Sequence, residues 1–294
     1  MSHPTVIVIV GPTSSGKSDL AVQVAKQIDG EVISADSRQV YKGMDIGSGK
    51  ITQKEMGGIP HHLLDVASPK RTFTVSRYQK LAHQAIKNIL KKGKTPIIAG
   101  GTGLYIQAIV DNLVFPAVPP NPKLREKLDK LSTTELFSQL LVLDRDRSES
   151  IDTKNPRRLI RAIEIATAIG KVPTNSTSPL PYRFVIIGIK PDDEILKNNI
   201  HKRLIKRLHQ GMIAEVQKLH DEGLSWKRLE SFGLEYRFVA QYLQKKITKL
   251  QMIELIEKEH WQYVKRQMTW FKRDNRITWI QEPQVGLKLV QKIN

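Results

Sequence analysis

The segment Val6-Ile7-Val8-Ile9-Val10 is an unbroken run of β-branched residues that passes directly into Gly11-Pro12-Thr13-Ser14-Ser15-Gly16-Lys17-Ser18. Such a run fits a strand buried on both faces, as the strands of parallel sheets are. The spacing Gly-x4-Gly-Lys-Ser behind a buried strand, with a helical pattern restarting at Asp19, is that of a P-loop. Glycines let the backbone curl so that successive N–H groups point inward, and the helix that follows adds its positive N-terminal end. Lys17 is placed to reach outer phosphates, and the Ser18 hydroxyl to hold Mg²⁺. The loop predicts a di- or triphosphate ligand, and a nucleotide hydrolase or kinase is the usual owner of such a loop.

The same strand-then-helix rhythm continues. Glu31-Val32-Ile33-Ser34-Ala35 reads as a short strand ending at Asp36-Ser37-Arg38-Gln39-Val40-Tyr41, and a polar, glycine-bearing loop follows. His61–Val66 reads as a further strand, and apolar spacing from Thr74 to Lys92 predicts a helix stopped by Gly93. Thr95-Pro96-Ile97-Ile98-Ala99 is another buried strand, and it runs into Gly100-Gly101-Thr102-Gly103. This alternation predicts an α/β fold, a P-loop core with a mainly parallel sheet flanked by helices. In an open α/β sheet, ligands sit at the strands' carboxyl ends. The P-loop, the Asp36 loop and the Gly100–Gly103 turn should therefore meet in one cleft.

The rhythm breaks at Phe115-Pro116-Ala117-Val118-Pro119-Pro120-Asn121-Pro122, a stiff connector, and a second Pro/Ser/Thr-rich stretch runs from Pro173 to Pro181. Between them lie helical patterns without clear strands, and Phe184–Ile189 is again a buried strand. We read residues 1–113 as the first part of the core, 114–182 as a helical inserted domain, and 183–294 as the second, mostly helical and basic part. Within the insert, Asn155 caps a helix with Pro156 at its first position. Leu159, Ile163, Ala166 and Ile169 form its apolar stripe, with Arg157, Arg158 and Arg161 off it. Clustered guanidiniums suit phosphate contacts, although a solvated helix face has the same pattern.

Charge narrows the partner. The 294 residues carry a formal net charge of +18, an excess that most often answers a polyanion such as nucleic acid. The segment Ile195–Ala214 holds Lys197, Lys202, Arg203, Lys206 and Arg207 and no acid, and Lys265-Arg266-Gln267-Met268-Thr269-Trp270-Phe271-Lys272-Arg273 interleaves base and ring. For Trp270 and Phe271 a core position is the better expectation. There is no cysteine, which excludes disulfides, thiolate nucleophiles and Cys-based metal sites. No stretch approaches the ~18 apolar residues of a membrane span. Met1–Pro4 leads straight into the first strand, so no signal or transit peptide is expected, and a cytoplasmic location is.

Asp36 admits three roles from residue type and position: an acid holding Mg²⁺, a general base taking a proton from an acceptor, or a carboxylate that fixes its own turn. Adjacent His61 and His62 on a strand would face opposite sides and make a poor metal pair. A nucleotide or nucleoside kinase with the Arg-rich insert as a lid, and a nucleic-acid-binding ATPase without transfer chemistry, both fit the P-loop, but no adenine pocket can be located in the sequence.

Four motifs together point further. Gly11–Ser18, the stretch Ser34-Ala35-Asp36-Ser37-Arg38-Gln39-Val40-Tyr41-Lys42-Gly43-Met44-Asp45-Ile46-Gly47, Gly100-Gly101-Thr102-Gly103-Leu104-Tyr105 and Arg266-Gln267-Met268-Thr269-Trp270-Phe271 resemble, in order, the tRNA dimethylallyltransferases (tRNA isopentenyltransferases), of the shorter bacterial type. The resemblance implies that the P-loop holds dimethylallyl diphosphate and that the prenyl group passes to the exocyclic N6 amine of the adenosine beside the anticodon. It implies catalytic roles for Asp36 as base and for Lys17 and Thr13 toward the leaving group. Gly11, Pro12, Thr13, Ser14, Ser15, Gly16, Lys17 and Ser18 would bind diphosphate, with Arg203 and Arg207 as further candidates, and Ser18 would touch Mg²⁺. Asp36, Ser37, Arg38, Gln39, Thr102, Arg125, Arg157, Arg158, Leu159, Ile160 and Arg161 would meet the tRNA anticodon stem-loop. A monomer without a protein partner or membrane is expected. The chain departs from the family pattern in three places. Ser18 stands for the commoner Thr, Gly49-Lys50-Ile51 lacks a Pro after the Lys, and Leu234-Glu235-Tyr236 has Glu where Gly is frequent.

Overall fold

A computed structural model describes residues 3–173, 177 and 179–291. The chain divides into two compact units, one formed by Met1–Val110 with Leu180–Asn294 and the other by Asp111–Pro179. In the first unit the initial half runs β1 (Thr5–Val10), α1 (Lys17–Gln27), β2 (Gly30–Ser34), α2 (Gln53–Met56), β3 (His61–His62), α3 (Val75–Lys91), β4 (Thr95–Gly100) and α4 (Gly103–Val110). The second unit is helical, with α5 (Pro122–Leu128), α6 (Thr133–Leu143), α7 (Arg145–Ser150) and α8 (Pro156–Ile169). The chain then returns through β5 (Arg183–Ile189), α9 (Asp193–His209), α10 (Met212–Asp221), α11 (Trp226–Ser231), α12 (Leu234–Leu243), α13 (Lys249–Phe271), β6 (Ile277–Ile280) and α14 (Pro283–Gln291).

The sheet has the order β3-β2-β4-β1-β5-β6, and every pairing is parallel. Strand β1 lies inside it and alternates as a doubly buried strand must. Val6, Val8 and Val10 pack into the large core shared with α3, α4 and the C-terminal helices. Ile7 and Ile9 face the opposite way, against Leu20, Ala21, Val24 and Ala25 of α1. With both faces covered, a β-branched residue at each position buries apolar area without a polar compromise.

The expected strand His61–Val66 pairs only over its first two residues. Leu63 and Asp65 take positive φ, 65° and 56°, and a strand does not continue through left-handed residues. In the second unit, Leu159, Ile163 and Ala166 are buried as the helical stripe required, but Ile169 is 54 % exposed at the end of α8. That helix instead buries Ile160, Ala162 and Ile165 on a second face. The Pro-rich joint at 173–181 includes residues 174–176 and 178, which lie outside the described residues. Among the described residues no helix is long and apolar enough to cross a membrane.

The carboxyl ends of β2 and β4 touch through backbone. Ala35 N–H donates to Ala99 O at 2.8 Å, and Thr102 N–H donates back to Ala35 O at 3.1 Å. Gly100 sits at this crossing, and a Cβ there would overlap the Ala35 carbonyl. Neither backbone can yield without breaking the ladder, so Gly100→Ala is expected to cost about 1–3 kcal/mol, as overpacking does, seen as a lower urea midpoint; an unchanged midpoint would show that the two strand ends are not locked together.

Candidate active site

The P-loop keeps its curl through two left-handed residues, Ser14 at φ 62° and Gly16 at φ 85°. Such a turn directs successive N–H groups inward, and α1 begins at once behind it. One side of the loop lines a cavity of about 710 Å³ together with the Asp45–Thr52 loop and helix α9. Ser14, Ser15, Gly16, Lys17 and Ser18 are in its wall, and Arg203 and Arg207 are too. Gly11, Pro12 and Thr13 are not among its lining residues. Six cations (Lys17, Lys50, Lys202, Arg203, Lys206, Arg207) line the cavity against three acids, Asp19, Asp45 and Glu55. The excess of positive charge suits an anion. Arg203 donates to Ser14 Oγ at 3.3 Å, and Asn199 donates to Ser14 O at the same distance. Helix α9 is thereby tied to the loop it faces.

Lys17 is half-buried and donates to Pro12 O at 3.0 Å. Burial, then the charge of Arg203, pull its ammonium down to about 8, while Asp36 pushes the other way. Lys17 therefore lines the cavity and is near enough to Asp36 to feel its charge. Asp36 Oδ1 accepts from its own turn, from Arg38 N–H at 2.8 Å and Gln39 N–H at 3.3 Å. That is the turn-fixing role, and it fixes the direction of the carboxylate as well.

The neighbours of Asp36 are spoken for. Thr102 Oγ1 accepts from Ser37 N–H at 3.0 Å. Arg38 Nε donates to Phe232 O at 2.6 Å, and Gln39 bridges Ser34 Oγ at 3.2 Å and Gly49 O at 3.2 Å. Three residues that sequence reasoning missed complete this region. Gln267 accepts from Thr13 N–H at 2.9 Å and donates to Gly101 O at 2.8 Å, pinning the P-loop to the Gly101 turn from α13. Glu215 accepts from the amides of Asp45, Ile46 and Gly47 and from the Tyr236 hydroxyl at 2.8 Å, which holds the loop that roofs the cavity. Tyr263 lies by Asp36 and Thr102: burial and then the Asp36 charge push its hydroxyl up to about 12, against the guanidinium of Arg38 and a hydrogen bond with Thr102. Gln267 lies in the Arg266–Phe271 motif, but nothing local shows what it bridges. Phe271 is in the core and Trp270 packs against it.

The basic residues of the second unit divide into two kinds. Arg125 pairs with buried Glu164 through two hydrogen bonds, at 2.7 and 2.6 Å. Arg161 donates to the same carboxylate at 3.2 Å and to Val118 O at 2.9 Å. These two fasten the unit's own helices. Leu159 and Ile160 are buried in its core. Arg157 and Arg158 are exposed on α8, with Arg158 at 3.8 Å from Asp152.

Among the described residues no group of three or more His, Cys, Asp or Glu could hold a metal. His61 and His62 are engaged separately, with Ile59 O and Glu31. The exposed Ser18 hydroxyl in the cavity wall, near the Asp19 and Glu55 that also line it, fits Mg²⁺ held mainly by ligand phosphates and water, the usual manner for this ion.

A family model described as IPP transferase matches residues 39–274. The chain belongs to the IPP transferase family. Relatives include the tRNA dimethylallyltransferase of Anoxybacillus flavithermus, 40 % identical over 93 % of this chain and 89 % of the relative. The tRNA dimethylallyltransferase 2 of Treponema denticola is 42 % identical over 93 % of this chain and 95 % of its own. Among solved structures, the tRNA isopentenylpyrophosphate transferase of Bacillus halodurans superposes with a TM-score of 0.74 at 33 % identity, covering 99 % of this chain and 96 % of its own. A eukaryotic dimethylallyltransferase described as acting on tRNA shares the fold, with a TM-score of 0.78 at 24 % identity over 95 % of this chain and 74 % of its own. The mainly parallel sheet with flanking helices is thus the architecture of this family.

Two tests follow from the geometry. Lys17 is charged below about 8 and neutral above, so affinity for inorganic pyrophosphate, read by calorimetry, is expected to fall as pH rises past 8. Lys17→Arg does not titrate there and should flatten that fall; parallel profiles for the two proteins would mean that Lys17 does not meet the anion. Gln267→Leu leaves Thr13 N–H and Gly101 O without their partner, at a cost of about 1–3 kcal/mol for each buried group, and should lower the urea midpoint; a midpoint like wild type would show that Gln267 does not couple the two loops.

Proposed function

We infer that the chain transfers a dimethylallyl group from dimethylallyl diphosphate to tRNA, releasing diphosphate. The observation that carries the chemistry is that Lys17 lines the cationic cavity and also feels the charge of the Asp36 carboxylate. The cavity takes the leaving group and the carboxylate takes a proton. Curated relatives about 40 % identical over most of the chain bear the name of this activity.

The acceptor is the exocyclic N6 amine of the adenosine adjacent to the anticodon. Its lone pair forms a bond to C1 of the prenyl group as the C1–oxygen bond breaks, and the electron pair leaves with diphosphate. Asp36, its carboxylate already directed by the turn amides, accepts the N6 proton. Lys17, the inward amides of Ser14–Ser18 and Arg203 stabilise the charge that grows on the leaving oxygens, where fixed donors count most. Bound at the Ser18 hydroxyl, Mg²⁺ would supply further positive charge to the diphosphate. A base inside a stem-loop reaches such a cleft only by leaving its stack, and Thr102 and Tyr263 beside Asp36 are polar groups to receive it. The exposed guanidiniums of Arg157 and Arg158 are the second unit's contribution to phosphate contact. The same reading has the chain acting in the cytoplasm, as a monomer.

Incubation with labelled dimethylallyl diphosphate and unmodified tRNA, with γ-labelled ATP as the alternative donor, tests this directly. Label entering tRNA from the prenyl donor alone, dependent on Mg²⁺, is the expected result. Phosphate moving from ATP to a small acceptor, with no prenyl transfer, would overturn it. Arg157→Ala with Arg158→Ala should weaken tRNA binding and reduce the slope of log affinity against log salt by about 1–2; an unchanged slope would place the RNA elsewhere.

A further inference from the structure

Arg203 and Arg207 lie one helical turn apart on α9, yet they are held differently. Arg203 reaches the P-loop itself, at Ser14 Oγ. Arg207 is 9 % exposed and its guanidinium passes over the backbone of Gly49. A Cβ at Gly49 would overlap Nη2 of that guanidinium, and Gly49 itself sits at φ +60°. From behind, Arg207 Nη1 donates to Glu235 Oε1 at 2.6 Å. The same Oε1 lies 2.9 Å from His260 Nε2. Glu235 is 5 % exposed and His260 7 %, so the three groups form one buried array drawn from α9, α12 and α13.

Glu235 sits in the first turn of α12, where the helix N-terminus favours a carboxylate. Burial pushes its carboxyl up, but His260 and Arg207 more than reverse that and leave it at about 2. Glu235 is therefore a carboxylate at any working pH. Taking charges out of water is seldom a net gain in stability, and buried pairs of this kind are better understood as fixing one arrangement. Here the arrangement is that of a cavity-lining cation. The front of Arg207 lines the diphosphate cavity and its back is tied to Glu235. This is also the position where the chain carries Glu in place of the frequent Gly of the family it resembles.

We propose that Glu235, steadied by His260, is a positioning residue that locks Arg207 against the Gly49 backbone so that its guanidinium is presented ready-made to the diphosphate of the prenyl donor. The proposal rests on the diphosphate reading of the cavity. A long, flexible arginine would otherwise lose rotamer freedom when the ligand binds. Held by Glu235, Arg207 has lost much of it already, while its side chain still lines the cavity. Glu235 touches no substrate, so its effect must pass through Arg207 alone.

The test uses the full chain and inorganic pyrophosphate as the calorimetric probe, alongside steady-state transfer and tRNA binding. Glu235→Gln keeps shape and acceptor oxygen but removes the charge. It should weaken pyrophosphate binding and raise the KM for the prenyl donor by about tenfold, at the low end of what removing the partner behind a metal-ligating group costs. The tRNA dissociation constant should stay within about twofold of wild type, a split that general loosening of the fold would not give. In an Arg207→Met background, Glu235→Gln should have no further effect on pyrophosphate, as expected when one residue acts through another. Wild-type pyrophosphate affinity in Glu235→Gln, or the same loss with and without Arg207, would overturn the proposal. Should circular dichroism show that Glu235→Gln does not fold, Gly49→Ala decides. Its methyl displaces the guanidinium from the opposite side and should produce the same selective loss, and wild-type binding would overturn the idea. Failure of the wild-type protein to bind pyrophosphate would instead count against the diphosphate reading itself.

Discussion

The site depends on the parallel ladder that sets β2, β4 and β1 side by side. Parallel strands end together, so the loops that leave them must share an edge. The ladder carries this down to single hydrogen bonds: Ala35 N–H meets Ala99 O, and Thr102 N–H meets Ala35 O. Gln267 then ties the P-loop to the Gly101 turn from a helix some two hundred and fifty residues away in sequence. Lys17 and Asp36, on loops that follow different strands, come near enough to interact for this reason.

Two chemistries are served by this arrangement. In the proposed transfer a departing diphosphate needs positive charge that is already in place, and the cavity beside the P-loop holds such charge, from α9 and from Lys17. An attacking amine needs a place for its proton, and Asp36 is directed by the amides of Arg38 and Gln39. The carboxylate and the ammonium are close enough to act on each other, and in the proposed transfer each serves a different part of the reaction. Two acids of the first unit are spent on building: Glu215 holds the 45–47 amides and Glu235 holds Arg207. Glu164 does the same in the second unit, by holding Arg125 and Arg161.

What could be read from the sequence was whatever has a local signature. The β-branched run predicted a doubly buried strand, and Val6 to Val10 alternate between two cores. The Gly-x4-Gly-Lys-Ser spacing predicted a curled loop ahead of a helix, which is what Ser14 and Gly16 form. Position after a strand picked out Asp36 and the Gly100–Gly103 turn. Long-range partnerships left no such mark. Nothing around Gln267, Glu215 or Tyr263 tells which loops they reach, because a hydrogen bond across the fold has no period. For the same reason a run of arginines on α8 gives no hint that Arg161 turns inward to Glu164 while Arg157 stays at the surface. The strand expected over 61–66 failed on backbone conformation, with left-handed Leu63 and Asp65 at positions whose residue types do not announce it.

The claim that Asp36 and Lys17 are two halves of one active site is tested most directly by single-turnover prenyl transfer in Asp36→Asn, measured beside pyrophosphate binding. Asparagine keeps the oxygen that accepts from Arg38 and Gln39, so the turn survives while the base is lost. The expected transfer rate is lower by about 10²–10⁴, the range general-base catalysis supplies, with pyrophosphate affinity unchanged. A variant that transfers at the wild-type rate, or one that loses pyrophosphate instead, would contradict it.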